Sequence, residues 1–127
     1  MAAKNHNPGF LALVNDAKSR IREIDIEQYK KMLEAGEDHV LIDVREESEW
    51  DAGHAANAIH LGKGIIERDI ETQVPEKDKP LILYCGGGFR SALVADNLKK
   101  MGYTNPISLD GGWRAIEGSG LPLTKRS

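Results

Sequence analysis

The chain has 127 residues, enough for one domain that buries a sizeable core without a metal or a disulfide staple. Hydrophobic residues make up 40% and charged residues 29%, an ordinary globular composition, and the net charge of -3 gives no basis for a nucleic-acid or anionic-membrane partner. A single cysteine, Cys85, excludes an intrachain disulfide and a cysteine-built metal site, and His6, His39, His54 and His60 are scattered without metal-ligand spacing, so no metal is expected.

In chain order, the first eight residues have no pattern, and Gly9 to Arg20 has helical spacing, with Phe10 and Val14, and Leu13 and Ala17, four apart. Ile21 to Ile24 alternates like a short edge strand. Asp25 is placed to cap a helix from Ile26 to Ala35, with Tyr29, Met32 and Leu33 as its buried stripe and Gly36 as its end. His39 to Val44 is apolar enough for a central strand of a parallel sheet. Glu46 to Trp50 predicts a short helical turn closed by Gly53, with its glutamates facing solvent. Ala58-Ile59 begins a small strand, and Lys63 to Thr72 predicts a helix with Ile65, Ile66 and Ile70 on one side.

Leu81 to Tyr84 reads as a buried strand, Ser91 to Met101 as an amphipathic helix with Leu93, Val94 and Leu98 inward, and Ile107 to Leu109 as a fifth strand. Gly111-Gly112 turns the chain into a last short helix with Trp113 and Ile116. Gly118 to Ser127 reads as a tail. Strands alternating with helices predict an α/β fold, a mostly parallel five-stranded sheet flanked by helices. The divisions expected are an N-terminal extension with a helix over residues 1–20, a main domain over 21–121 and a tail over 122–127. Ligands of such sheets sit beyond the carboxyl ends of the strands, where Asp43 and Cys85 both fall.

The most informative stretch is Cys85-Gly86-Gly87-Gly88-Phe89-Arg90-Ser91. It places a thiol between a strand end and a helix start, a position where backbone N–H groups stabilise an anion. Three glycines leave the thiol uncovered and allow positive φ angles, so successive N–H groups can converge into a nest. Arg90 is expected to donate to loop carbonyls or to pair with Asp43, and Ser91 to cap the helix. Phe89 is open to two readings, exposed at the pocket rim or packed inward. No Lys-Ser or Lys-Thr follows the glycines, which disfavours a nucleotide phosphate loop. A buried structural cysteine ahead of a plain turn is the alternative, but such a turn has no need of three glycines.

The chain resembles a single-domain rhodanese, a sulfurtransferase of the rhodanese/phosphatase fold. The matching pieces are Leu41-Ile42-Asp43-Val44-Arg45, Glu49, Gly53-His54, Ala58-Ile59, Gly64-Ile65-Ile66-Glu67, Cys85 to Ser91, Gly102-Tyr103 and Leu109-Asp110-Gly111-Gly112-Trp113, in that order. The resemblance implies a three-layer fold and a Cys85 that accepts a sulfane sulfur as a persulfide, with Gly86 to Arg90 as the active loop. It implies that Asp43 supports the loop through Arg90, and that Arg45 and His54 order the neighbouring turn. Only four residues separate Cys85 from Arg90, the length of sulfur transfer, whereas related phosphatases have one more. The family pattern Gly-His-Ile-Pro-Gly-Ala stands here as Gly53-His54-Ala55-Ala56-Asn57-Ala58, without the proline and the second glycine.

The implied donor is thiosulfate or another persulfide. The acceptor is cyanide or an external thiol, including one on a partner protein, since no second cysteine can resolve the persulfide. No cofactor is implied. Arg90 or Arg114 is expected to help hold an anionic donor; Trp50 and Trp113 are expected to pack over helix–sheet edges, with Trp113 also placed to wall the pocket. The alternatives are a persulfide carrier or protein-recognition module with little turnover, and a cysteine phosphatase or arsenate reductase. A monomer is expected. No segment is apolar enough to span a membrane, Phe10 to Val14 is too short for a secretory signal, and a free thiol suits a reducing compartment, so the expected location is the cytoplasm.

Overall fold

The computed structural model describes residues 6–125; residues 1–5 of the patternless start and 126–127 of the tail lie outside them. The elements run α1 (Pro8–Lys18), β1 (Arg22–Ile24), α2 (Ile26–Glu34), β2 (Val40–Asp43), α3 (Glu47–Ala52), β3 (Gly53–Ala55), β4 (Ala58–His60), α4 (Ile66–Gln73), β5 (Leu81–Tyr84), α5 (Arg90–Lys100), β6 (Pro106–Leu109), α6 (Gly112–Glu117) and β7 (Leu123–Lys125).

Five strands form one sheet in the order β1-β6-β5-β2-β4, and every pairing in it is parallel. The five strands are three or four residues long. Period-two alternation divides the core. Ile42, Val44, Leu81, Leu83 and Cys85 face one way, against Ile66 and Ile70 of α4 and Val94, Ala95 and Leu98 of α5. Leu41, Ile82, Tyr84, Ile107 and Leu109 face the other, against Tyr29 of α2 and Ile116 of α6.

Local chemistry sets both ends of α2 as expected. Asp25 accepts from the Gln28 N–H at 2.8 Å while the Gln28 side chain accepts from the Asp25 N–H at 2.9 Å, a reciprocal cap on α2. Gly36, with φ of +67°, ends the same helix.

Two features at the ends of the chain differ from expectation. The stretch read as a tail contains β7, which pairs antiparallel with β3, Gly53 opposite Lys125 and Ala55 opposite Leu123. Three-residue strands of mixed polarity carry too little periodicity to be read locally, and the pairing joins residues about seventy positions apart in the chain. The second is α1. Val14 and Ala17 are buried against the domain, whereas Leu13 is 62% exposed, so the buried stripe is narrower than the paired spacings predicted. Among the described residues no helix is long and apolar enough to cross a membrane.

Candidate active site

Cys85 follows the last residue of β5, at the carboxyl end of the sheet, and is only 2% exposed. The Gly88 N–H donates to its Sγ at 3.1 Å and the Ser91 N–H at 3.4 Å. The thiol in turn donates to Ser91 Oγ at 3.6 Å. Two amides from the turn and the first turn of α5 thus converge on one sulfur, the arrangement that holds negative charge at a helix start. Of the three glycines, Gly88 alone has positive φ, +98°.

Ser91 does not cap α5. Phe89 occupies the cap position, and Ser91 lies one residue inside the helix, where its Oγ meets Ser108 Oγ at 2.8 Å. Both serines are fully buried. Ser108 was not singled out from the sequence. Its signal is a polar residue between Ile107 and Leu109, which puts it on the opposite face of β6 and under α5.

Asp43 and Arg90 do not meet. Asp43 lies on the Leu41 face of β2, in register with Tyr84, whereas α5 covers the other face. The Asp43 carboxylate is fully buried and is bound by Arg45, whose Nε donates to Oδ1 at 3.0 Å and to Oδ2 at 3.1 Å, and whose Nη2 donates to Oδ2 at 2.7 Å. The Arg45 N–H also donates to Oδ1 at 2.9 Å, and Nη2 reaches the Gly53 carbonyl at 2.6 Å. Burial works against the Arg45 charge, but the hydrogen bonds and charge of Asp43 outweigh it and hold the guanidinium above its ordinary value. Beside it, burial and then the Asp43 charge push the Tyr84 phenol well above its ordinary range. Tyr84 Oη accepts from the Ala55 N–H at 3.1 Å.

Arg90 instead reaches Glu49 at 3.5 Å and Glu46 at 3.9 Å. Glu49 of α3 is therefore not only solvent-facing; it lines the active cleft. That cleft has a volume of about 710 Å³ and brings together Cys85, Gly86, Gly87, Phe89 and Arg90 of the loop with Arg45, Glu49, Trp113 and Arg114. The Arg45 guanidinium lies 4.6 Å from the centre of the Trp113 ring. His6 and Phe10, before and in α1, complete the lining and were not expected there. Phe89 is half-buried, with its ring centre 4.3 Å from that of His6. His54 is outside the cleft; it stacks on Trp50 at 3.4 Å between ring centres, and its Nδ1 bonds the Trp50 carbonyl at 2.9 Å.

The loop is held from below by backbone. The Trp113 N–H donates to the Cys85 carbonyl at 2.7 Å and the Arg114 N–H to that of Gly86 at 3.3 Å. The thiol thus sits on a fixed platform at the floor of a broad cleft.

Residues 25–119 match the family model described as "Rhodanese-like domain". The chain belongs to the rhodanese family. A thiosulfate sulfurtransferase of Coxiella burnetii is 36% identical over 81 residues, covering 61% of this chain and 74% of that protein. Among solved rhodanese-fold structures, a Rhodopseudomonas palustris protein of unknown function, described as a possible tyrosine phosphatase, superposes with a TM-score of 0.80 at 26% identity. It covers 98% of this chain and 100% of its own. The polysulfide-sulfur transferase homodimer of Wolinella succinogenes superposes with a TM-score of 0.78 at 29% identity, covering 94% and 89%. As a rhodanese-like chain with one cysteine, at the floor of the cleft, it has the residue that sulfurtransferase chemistry of this family needs.

Proposed function

We propose that the chain is a sulfurtransferase that takes a sulfane sulfur from thiosulfate or another persulfide donor onto Cys85 and passes it to cyanide or an external thiol. The observation that carries this reading is the pair of amides, Gly88 and Ser91, aimed at Sγ. In the first step the Cys85 thiolate attacks the outer sulfur of thiosulfate. The S–S bond of the donor breaks with its electron pair on sulfite, and an Sγ–S⁻ persulfide forms. In the second, the acceptor attacks the outer sulfur and the Sγ–S electron pair returns to Sγ. Charge is conserved in both steps without proton transfer, so amide dipoles suffice and no general acid is needed.

Asp43 and Arg45 act as supports, fixing the turn after β2 and one side of the cleft. Arg114, exposed and without an ion pair among the described residues, is the cation available to an anionic donor. The phosphatase reading attached to the Rhodopseudomonas relative is less well supported. The loop places only four residues between Cys85 and Arg90, and Arg90 is engaged by Glu49 and Glu46.

The test is intact mass of the reduced protein after thiosulfate or a low-molecular-weight persulfide, then after cyanide, with Cys85→Ser alongside. Gain of one sulfur only in the parent protein, lost as thiocyanate appears, is expected. Absence of the gain with every donor sinks the reading.

A further inference from the structure

One side of the cleft comes from outside the rhodanese match. The family model begins at residue 25, yet His6 and Phe10 line the cleft together with Phe89 of the loop. The three rings form a cluster: His6 lies 4.3 Å from Phe89 and 5.3 Å from Phe10, and Phe10 lies 6.3 Å from Phe89. Lys18 Nζ stands 5.2 Å from the centre of the Phe89 ring.

This side is held in place. Val14 and Ala17 bury α1 against the domain, and Arg20, just after it, binds both carboxylate oxygens of Asp96 on α5, at 3.0 and 2.8 Å. The helix that carries Phe10 is thus locked to the helix that begins at the loop.

The dimensions point to a substrate larger than an inorganic ion. Cys85 is only 2% exposed, so a reagent brings its sulfur up to Sγ while the rest of its body stays in the cleft. The cleft outside it measures about 710 Å³, within the size range of sites that hold whole organic molecules. The amides on Sγ answer the needs of thiosulfate and cyanide, and neither has a body for an aromatic wall to hold. Trp113 adds a further aromatic side chain to the same lining.

We infer that Phe10 and His6, with Phe89, form a specificity wall that binds the body of an organic thiol, favouring one with a planar aromatic or apolar group beside its sulfur. The inference rests on the sulfurtransferase reading for its biological meaning, with the organic thiol as the acceptor in the second step. Its thiolate attacks the outer sulfur of the Cys85 persulfide, the Sγ–S bond breaks toward Sγ, and an organic persulfide leaves. Oxidation levels are conserved, so no further reactant is required.

Two measurements on the full chain separate this inference from the reading beneath it. The first uses benzyl and methyl methanethiosulfonate, which transfer their S-benzyl or S-methyl group to the thiolate and release methanesulfinate. Cys85 is the one cysteine, so the label reports the cleft alone. The benzyl-to-methyl rate ratio, relative to free cysteine, is expected to fall about three- to tenfold in Phe10→Ala and in His6→Ala, the scale of one lost aromatic contact. Leu13→Ala, on the exposed side of α1, keeps the parent ratio. The second measures sulfur release from loaded protein to benzyl mercaptan and to cyanide, with the variants losing more toward the mercaptan. A parent ratio no higher than that of free cysteine, or an equal loss toward both reagents, overturns the wall even if Cys85 loads with sulfur. A retained ratio effect in a protein that never loads leaves the wall standing and removes the sulfurtransferase reading instead.

Discussion

Around Cys85, one turn of backbone is packed directly on another, and this decides which glycines matter. Gly112 has φ of +50°, and a Cβ there would run into the Cys85 carbonyl oxygen, the same atom that accepts the Trp113 N–H. A Cβ on Gly86 meets nothing within 4 Å, and on Gly87 only the Phe89 ring at 3.8 Å. Neither of those residues has positive φ. Gly112→Ala is therefore expected to cost about 2–4 kcal/mol, from left-handed backbone strain plus displacement of the loop, and to slow loading of Cys85. Gly86→Ala is expected to stay within about 0.5 kcal/mol of the parent. Thermal unfolding of the two variants checks the contrast, and a Gly112→Ala protein as stable as the parent would refute the platform described for the loop. The three-glycine run drew attention to the right place, but the glycine with the least freedom to change lies in the turn beneath it.

At the scale of elements, the docking of α1 on α5 gives the cleft its extra wall. Arg20 holds the nearly buried Asp96, with Lys100 3.6 Å away as a second cation. The hydrogen bond and charge of Arg20 outweigh burial and hold the Asp96 carboxyl below the usual carboxylate range; Asp16, also bound to Arg20, is lowered for the same reason. A lowered folded value stabilises the docked state at pH values above the ordinary carboxylate pKa of about 3.9 and loses that contribution as pH falls through the folded value. Amide protection factors of α1, relative to those of β5, are expected to fall as pH drops from 6 toward about 3. In Asp96→Asn they are expected to be lower already at neutral pH and to change less on acidification. A parent helix equally protected across that range would contradict the latch. The helical spacing of this segment was legible because periodicity is local. Its contact with the cleft was not, because that depends on how far α1 lies along α5, which Arg20 and Asp96 set across 76 positions of sequence.

Across the whole molecule, Arg45 joins the main sheet to the small ribbon of β3 and β7. It binds Asp43 at the end of β2 and the Gly53 carbonyl at the start of β3. The pair is buried, so removing one member leaves the other charged and uncompensated. Arg45→Met is expected to destabilise the protein by about 3–5 kcal/mol, a large fraction of the stability of a domain this size. Asp43→Asn combined with Arg45→Met is expected to regain part of that loss, since no isolated charge remains. Thermal unfolding of the single and double variants checks this. If the double variant is no more stable than Arg45→Met alone, the cost lies in the lost bond to Gly53 and the detached ribbon.

Taken by itself, the order of residues determined the helices, the parallel sheet and the seat of Cys85 at a strand end before a helix. These follow from periodicity, caps and turn glycines, which act over a few neighbouring residues. Tertiary structure alone decided the partners. The family resemblance implies that Asp43 supports the loop through Arg90, yet the pleat turns Asp43 toward Tyr84 and away from α5, so Arg45 takes the carboxylate and Arg90 turns to Glu49. Residues 123–125, read as tail, became a strand only by meeting β3, and α1 became a wall of the cleft only by docking on α5. Such contacts depend on which face a side chain presents to distant parts of the chain, and local pattern does not encode that.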